Sequence, residues 1–302
     1  MSIEASPRAN RSHSTRNGYE IRLCRDSLSQ DSEWFDVRLG SRWQRLRLHD
    51  YDKIYAVPGL YEAVYNRLLR CTSPERVVSL LREAMADGHE PTGNLRVLDL
   101  GAGNGLVSEE LRCLPVAKVL GVDILPEARQ AALRDRGWCF DDYIVANLLD
   151  LPEETEALLR NARFNGLTCV AALDFGDIPK TAFLKALDLI EAPGWLAFNV
   201  KETFLQEELD DGFARLLGQL TRTGVIKLQA YRRYQHRVSC AGQPLHYIAV
   251  VATKERVIPH GMLAPRLDPL HRNGRLCLDP ALGGPPERAS QESRPAKSVT
   301  SK

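Results

Sequence analysis

The sequence of 302 residues has no apolar run approaching the roughly 20 residues that cross a bilayer as a helix, so it predicts no membrane segment. Net charge is nearly absent as well. Forty Lys and Arg face 39 Asp and Glu, leaving a formal charge of +1. No basic field covers the chain as a whole, which speaks against nucleic acid as a partner. Cysteine pairs at ligand spacing are missing too. The seven cysteines (Cys24, Cys71, Cys113, Cys139, Cys169, Cys240 and Cys277) are scattered, odd in number and never arranged as CxxC. That pattern predicts no disulfide scaffold and no metal site, and it fits thiols in a reducing, cytoplasmic setting. No internal repeat occurs.

What is present is an ordinary globular composition, with 44% hydrophobic and 26% charged residues. Residues 1–30 are polar and aperiodic, with Arg8, Arg11 and Arg16 among Ser and Asn but without the apolar stripe of a targeting helix. Residues 256–302, which include "GGPPERASQESRPAKSVTSK", are rich in Pro, Gly, Ser and Arg. Neither end has enough apolar area to offset chain entropy, so both are expected to be disordered tails. Residues 31–90 are expected to form a helical lid or substrate segment, with one helix starting near Pro58 and another capped by Ser73 before Pro74 and stopped by Gly88.

From residue 91 to 255 the signals alternate. Short apolar runs at 95–100, 118–123, 142–147, 167–173 and 195–200 read as buried strands. Helical stretches begin near Gly105, Pro126, Pro152 and Pro179. Strand and helix at this spacing predict an α/β fold with a doubly wound, mostly parallel sheet. A further helix over 203–222 leads to "VIKLQAYRRYQHRV" and "LHYIAVVAT", joined by a short connection. These fit an antiparallel hairpin at the sheet edge, giving seven strands in all.

After the first strand comes "DLGAGNG", Asp99 to Gly105, with glycine at every second position. Glycine permits turn conformations closed to other residues and lets a ligand lie against the main chain, so Gly101, Gly103 and Gly105 read as the floor of a site. A dinucleotide fingerprint needs glycine at the first, third and sixth positions, and the sixth here is Leu106. The acidic residue followed by three alternating glycines resembles the first motif of class I S-adenosylmethionine-dependent methyltransferases, over roughly residues 92 to 254. The likeness implies a Rossmann-like sheet, S-adenosylmethionine as cofactor and a methyl acceptor, with Asp99, Gly101, Ala102, Gly103 and Gly105 in the cofactor loop. "YDKIY" and the closing hairpin bear a looser likeness to the methyltransferase-like family named after the Williams–Beuren chromosomal region.

Further positions follow from that resemblance. Asp123, eighteen residues beyond Gly105, stands where the family grips the ribose hydroxyls, with Ile124 against adenine; it can equally cap the helix at Pro126. Asn147 replaces the family's frequent Asp, and its amide still accepts from the adenine amine, with Leu148 beside it. Tyr51 and Tyr55 in the lid suit a methyl-bearing cation, as do Tyr61 and Tyr65 at near-helical spacing. Asp174 and Asp177 occupy the loop that faces the acceptor in the family, where Asp177 can also cap the next helix. The departure from an Asn-Pro-Pro-aromatic motif there argues against methylation of bases. Asp174, Asp177, His236 and His246 are the candidates for a general base, the two histidines being equally at home as packed or surface residues. A small molecule is the expected acceptor; a protein or RNA acceptor, or binding without transfer, are the alternatives.

Overall fold

Apolar and polar side chains alternate from Trp34 onward, and the chain forms strands there. In the computed structural model, which describes residues 13–14, 18–26, 29–173, 177–202 and 213–263, β1 (His13–Ser14), β2 (Glu20–Leu23), β3 (Trp34–Leu39) and β4 (Arg42–Arg47) make a four-stranded antiparallel meander. Successive side chains point to opposite faces. Ile21, Phe35, Val37 and Leu46 therefore turn into a core shared with Leu48, Ile54, Leu60 and Val64. The outer face carries Arg22 over the Trp43 ring at 3.9 Å and Arg45 over the Trp34 ring at 3.5 Å. Two expectations are corrected. Trp34 to Arg47 is strand where a helix was expected, and residues 18–26 are ordered where a disordered tail was expected. The period of two, with Gly40 at φ +61° forming the turn, outweighs the apparent helical spacing. At the other end, residues 256–263 continue in order with Ile258 buried, and residues 264–302 lie outside the described residues.

Helices follow as expected. They are α1 (Tyr51–Ala56), a π-helix (Glu62–Leu68) and α2 (Ser73–Asp87), which ends at Gly88. Ser73 is not the N-cap; Thr72 is, and Ser73 is buried in the first turn.

The second sheet comprises β5 (Arg96–Leu100), β6 (Lys118–Asp123), β7 (Asp142–Val145), β8 (Gly166–Cys169), β9 (Gly194–Lys201), β10 (Ile226–Val238) and β11 (Pro244–Lys254), in the order β10-β11-β9-β8-β5-β6-β7. β5 pairs in parallel with both β6 and β8, while β11 runs antiparallel to β9 and β10. The crossovers contain α3 (Leu106–Arg112), α4 (Pro126–Arg136), α5 (Glu153–Asn161) and α6 (Lys180–Asp188), and α7 (Phe213–Arg222) precedes the edge hairpin. These elements match the doubly wound, seven-stranded reading. Chain order reverses between β5 and β8, so their carboxyl ends diverge and open a crevice, the usual ligand site of such sheets. Among the described residues, no helix is long and apolar enough to cross a membrane.

Candidate active site

The crevice is a cavity of about 360 Å³ beyond the carboxyl ends of β5, β6, β7 and β8. Its floor is Gly101, at φ +68°, where a Cβ would lie 2.8 Å from Ile178 Cδ1 and 3.1 Å from the Ala172 Cβ. The next glycine, Gly103 at φ +53°, lies under the lid, and its Cβ would fall 2.5 Å from the Tyr55 hydroxyl. Gly105 at φ +91° leaves 2.9 Å between a Cβ and the Phe140 ring. Bare backbone is required at each of these positions by both torsion and space.

Carboxylates shape the loop from two sides. Asp99 sits behind it, 1% exposed, with its oxygens accepting the hydroxyls of Thr168 (2.7 Å) and Ser108 (2.8 Å). Burial lifts its pKa to about 6, against the pull of those two hydroxyls. Asp99 thus braces the loop and is absent from the cavity wall, which corrects its expected place among the cofactor contacts. Asp123 does face the cavity. Its Oδ2 accepts from Gly103 N at 2.9 Å and its Oδ1 from Leu125 N at 3.0 Å, so the same side chain steadies the glycine loop and the entry to α4. Burial raises its pKa and the backbone donors lower it. An ionised carboxylate offers about four lone-pair sites, more than these donors use, which leaves room for a ligand.

The wall assembles Tyr51, Tyr55, Gly101, Asp123, Ile124, Asn147, Leu148 and Asp177 from the expected site residues. Asn147 Oδ1 accepts from Leu149 N at 3.0 Å, which fixes the amide at the rim. Ala102, Gly103 and Gly105 support the floor without lining it, and Asp174 lies outside the described residues. The lid closes the cavity with tyrosines: ring centroids are 6.0 Å apart for Tyr51 and Tyr55, 5.1 Å for Tyr55 and Tyr61 and 4.4 Å for Tyr61 and Tyr65, all stacked. Burial pushes the pKa of all four phenols up, so they stay neutral.

Neither histidine candidate stands on this wall. His246 sits on β11 near Glu202, whose pKa its charge helps to lower, although the Arg233 hydrogen bond does more. His236 is buried, with Nδ1 2.6 Å from Ser73 Oγ, which in turn lies 2.6 Å from the Tyr234 hydroxyl. Asn199 Nδ2 donates to Tyr234 at 2.7 Å, and its Oδ1 accepts from Ala171 N at 2.6 Å. Ala171, at φ +56°, is part of the cavity wall, so this polar cluster supports the site from behind.

Burial, with a smaller push from Arg237, lowers the His236 pKa to about 3. An unfolded histidine titrates near about 6.5, so between these values the unfolded chain binds the extra proton and stability falls as pH drops through that window. Asp99 works the other way: raised to about 6 when folded, it loses stability as pH rises from its unfolded value toward 6. We expect His236→Asn to flatten the acid limb of a plot of denaturant midpoint against pH, and Asp99→Asn to steepen it.

One imidazole on the wall was missed by the sequence reading. His49 follows β4, and its Nδ1 is 3.3 Å from Asp177 Oδ2. With the region read as helix, nothing placed residue 49 at a strand end facing the sheet.

The arrangement fits S-adenosylmethionine in its donor set: bare backbone beneath, a carboxylate for vicinal hydroxyls, an amide beside apolar Ile124 and Leu148, and aromatic faces at the other end. Residues 98–198 match the family described as "Methyltransferase domain". The chain is 28% identical over 126 residues to a ubiquinone biosynthesis O-methyltransferase of Paraburkholderia phymatum, covering 42% of this chain and 53% of that protein. It is 32% identical over 113 residues to the mitochondrial ubiquinone biosynthesis O-methyltransferase of Candida albicans, covering 34% of this chain and 31% of that one. The chain thus spans about half or less of the curated relatives it matches. The N-methyltransferase NodS of Bradyrhizobium japonicum, solved with S-adenosyl-L-homocysteine, aligns with a TM-score of 0.48 at 14% identity, over 68% of this chain and 97% of that one. Residues 98–198 are thus a methyltransferase domain of the class I S-adenosylmethionine-dependent kind.

Proposed function

We propose that the chain transfers a methyl group by in-line displacement to an oxygen, nitrogen or carbon nucleophile of a small molecule, with oxygen favoured. The observation that supports this most is the size and lining of the cleft. Glycine backbone forms one side and stacked tyrosines the other, leaving about 360 Å³ for cofactor and acceptor portions together. Such a space suits a small molecule, whereas a macromolecule would have to insert a single protruding group. The activity for which both relatives are named, O-methyl transfer in ubiquinone biosynthesis, favours oxygen.

In this reading Gly101 lets the cofactor lie on the backbone, Asp123 takes its ribose hydroxyls, and Asn147 with Ile124 and Leu148 holds adenine. Tyr51 and Tyr55 face the sulfonium, where a ring within about 6 Å contributes roughly 0.5 to 2 kcal/mol. When bound, S-adenosylmethionine supplies a methyl carbon whose bond to sulfur breaks as the bond to the acceptor forms, the electron pair staying on sulfur. The protein's task is alignment, and such positioning supplies roughly 7 to 11 kcal/mol of barrier reduction.

Methyl-tritiated S-adenosylmethionine offered to the full chain with a panel of phenols, alcohols, amines and carbon acids tests this. Label should enter at least one of them, and deletion of residues 264–302 should leave the rate within about twofold. Label entering only RNA or protein, and lost on that deletion, would support a macromolecular acceptor. Tight cofactor binding with no transfer to any class would favour a binding module.

A further inference from the structure

Behind the main cavity lies a smaller crevice of about 30 Å³, lined by Gln30, Tyr65, His236 and Tyr247 among others. His49, Tyr51, Tyr61, Ala171 and Asp177 line both spaces, so these five form the partition between them. His49 and Asp177 reach this partition from opposite sides. His49 comes from the β4–α1 corner of the lid, and Asp177 from the loop that leads to α6. Their side chains are 21% and 32% exposed, within reach of a ligand.

We propose that His49 is the proton acceptor for a hydroxyl-bearing aromatic substrate, and that Asp177 is its positioning residue. The inference rests on the methyl-transfer reading above and narrows its acceptor to a group that must lose a proton. A neutral imidazole has one nitrogen that donates and one that accepts. The Asp177 carboxylate lies 3.3 Å from Nδ1, short of hydrogen-bond alignment; its charge favours a proton on Nδ1, and in this proposal the lone pair is on Nε2. As the acceptor oxygen bonds to the methyl carbon, its proton passes to Nε2; the imidazolium is stabilised by Asp177 and returns the proton to water after product leaves. The aromatic preference follows from the walls. Tyr51 stands edge-on to His49 with centroids 5.7 Å apart, and Tyr61 and Tyr65 continue the stack, so a flat ring finds aromatic faces on the lid side.

Other charged and titratable groups face His49. Asp31, on the turn before β3, senses its charge, Asp52 and Tyr51 belong to α1, Tyr61 and Tyr65 flank the partition, and Cys71, His236 and Arg237 lie across the crevice. Arg237 is paired with Glu33 at 2.6 Å, His236 is held neutral, and burial raises the Cys71 and tyrosine pKa values; among the described residues, Asp177 is the carboxylate in ion-pair range of the ring.

The test has two arms, both on the full chain. In the first, the histidine Cε1–Hε1 signals are recorded with saturating S-adenosylhomocysteine, and the His49 signal is identified by its loss in His49→Gln. Phenol should move that signal and leave that of His246 in place; no movement of the His49 signal at any phenol concentration overturns the proposal, whether or not methyl is transferred. In the second, transfer to phenol by His49→Gln should fall about 10² to 10⁴-fold at pH 7. The deficit should close as pH approaches about 10, where a phenol ionises unaided. Asp177→Asn should lower kcat at pH 7 with the same recovery, and both variants should keep cofactor affinity within about twofold. A variant that matches wild type at pH 7 overturns the base assignment and leaves methyl transfer standing. Absence of transfer to every oxygen acceptor by the wild type, with the His49 signal moved, refutes the O-methyl reading and keeps His49 as the hydroxyl-binding site.

Discussion

Replacing Glu33 with Ala is expected to lower the unfolding free energy by about 3 to 5 kcal/mol, the usual cost of stranding one member of a buried ion pair. Glu33 and Arg237 are 3% and 4% exposed and 2.6 Å apart. Glu33 also accepts from Cys240 N, and Arg237 Nη1 donates to the Val238 carbonyl at 3.0 Å. Removing the carboxylate leaves a guanidinium and an amide without their acceptor in a dry place. The pair joins the start of β3 to β10, beside Val238 N to Leu69 O (2.8 Å) and Thr72 N to His236 O (2.9 Å). Those links set the four-stranded meander, and with it His49 and Tyr51, over the sheet. Glu33→Gln with Arg237→Met keeps an acceptor for Cys240 and removes the charge, so the double variant should lose less than Glu33→Ala alone. Urea unfolding of the three proteins decides it; an undiminished Glu33→Ala midpoint would contradict the argument.

Gly103→Ala is expected to cost more than about 2 kcal/mol and to weaken cofactor binding at least tenfold. The left-handed torsion alone costs an alanine roughly 1 to 2 kcal/mol. The added methyl also meets the Tyr55 hydroxyl at 2.5 Å, and Tyr55 is held between Tyr51 and Tyr61 in the stack. A shift of residue 103 disturbs two further contacts, its N–H on Asp123 at 2.9 Å and its carbonyl, which accepts the Tyr143 hydroxyl at 2.8 Å. Tyr55→Phe removes the clashing oxygen and leaves the ring carbon at 3.4 Å, an ordinary contact. In a double-mutant cycle Tyr55→Phe should therefore recover about 1 kcal/mol of the Gly103→Ala loss while the torsional part persists. Additive effects would mean that the lid does not press on the loop as described.

The parallel sheet was legible because its signals are local. "RVLDL" and "KVLGVD" are short, mostly apolar runs, the first ending at Gly101, and Pro126 marks the first residue of α4. The glycine loop and Asp123 were legible for the same reason, since strand, turn and helix follow one another within about thirty residues in this kind of unit. The N-terminal meander was not. In "WFDVRL" the alternation is short and broken by Trp34, an outward ring that Arg45 covers, as Arg22 covers Trp43 on β4. His49 went unnoticed with it. Its partner Asp177 lies 128 residues away in sequence, and only the folded lid brings the two to 3.3 Å. For His236 the run of Arg, Tyr and Gln left packed, surface and catalytic roles open, and the bond to Ser73, itself bonded to Asn199, places it in the packed interior.

Cofactor binding rests on a bare glycine floor faced by Asp123 accepting an adenosyl sulfonium. Calorimetric titration of S-adenosylmethionine, S-adenosylhomocysteine and NAD into the wild type and Asp123→Ala addresses this directly, with circular dichroism of both to establish that the fold is kept. The account predicts that the two sulfur compounds bind and NAD does not, and that the substitution weakens binding by at least about tenfold, or roughly 1.4 kcal/mol. Equal affinity in a folded Asp123→Ala variant, or NAD bound as tightly as S-adenosylmethionine, would contradict it.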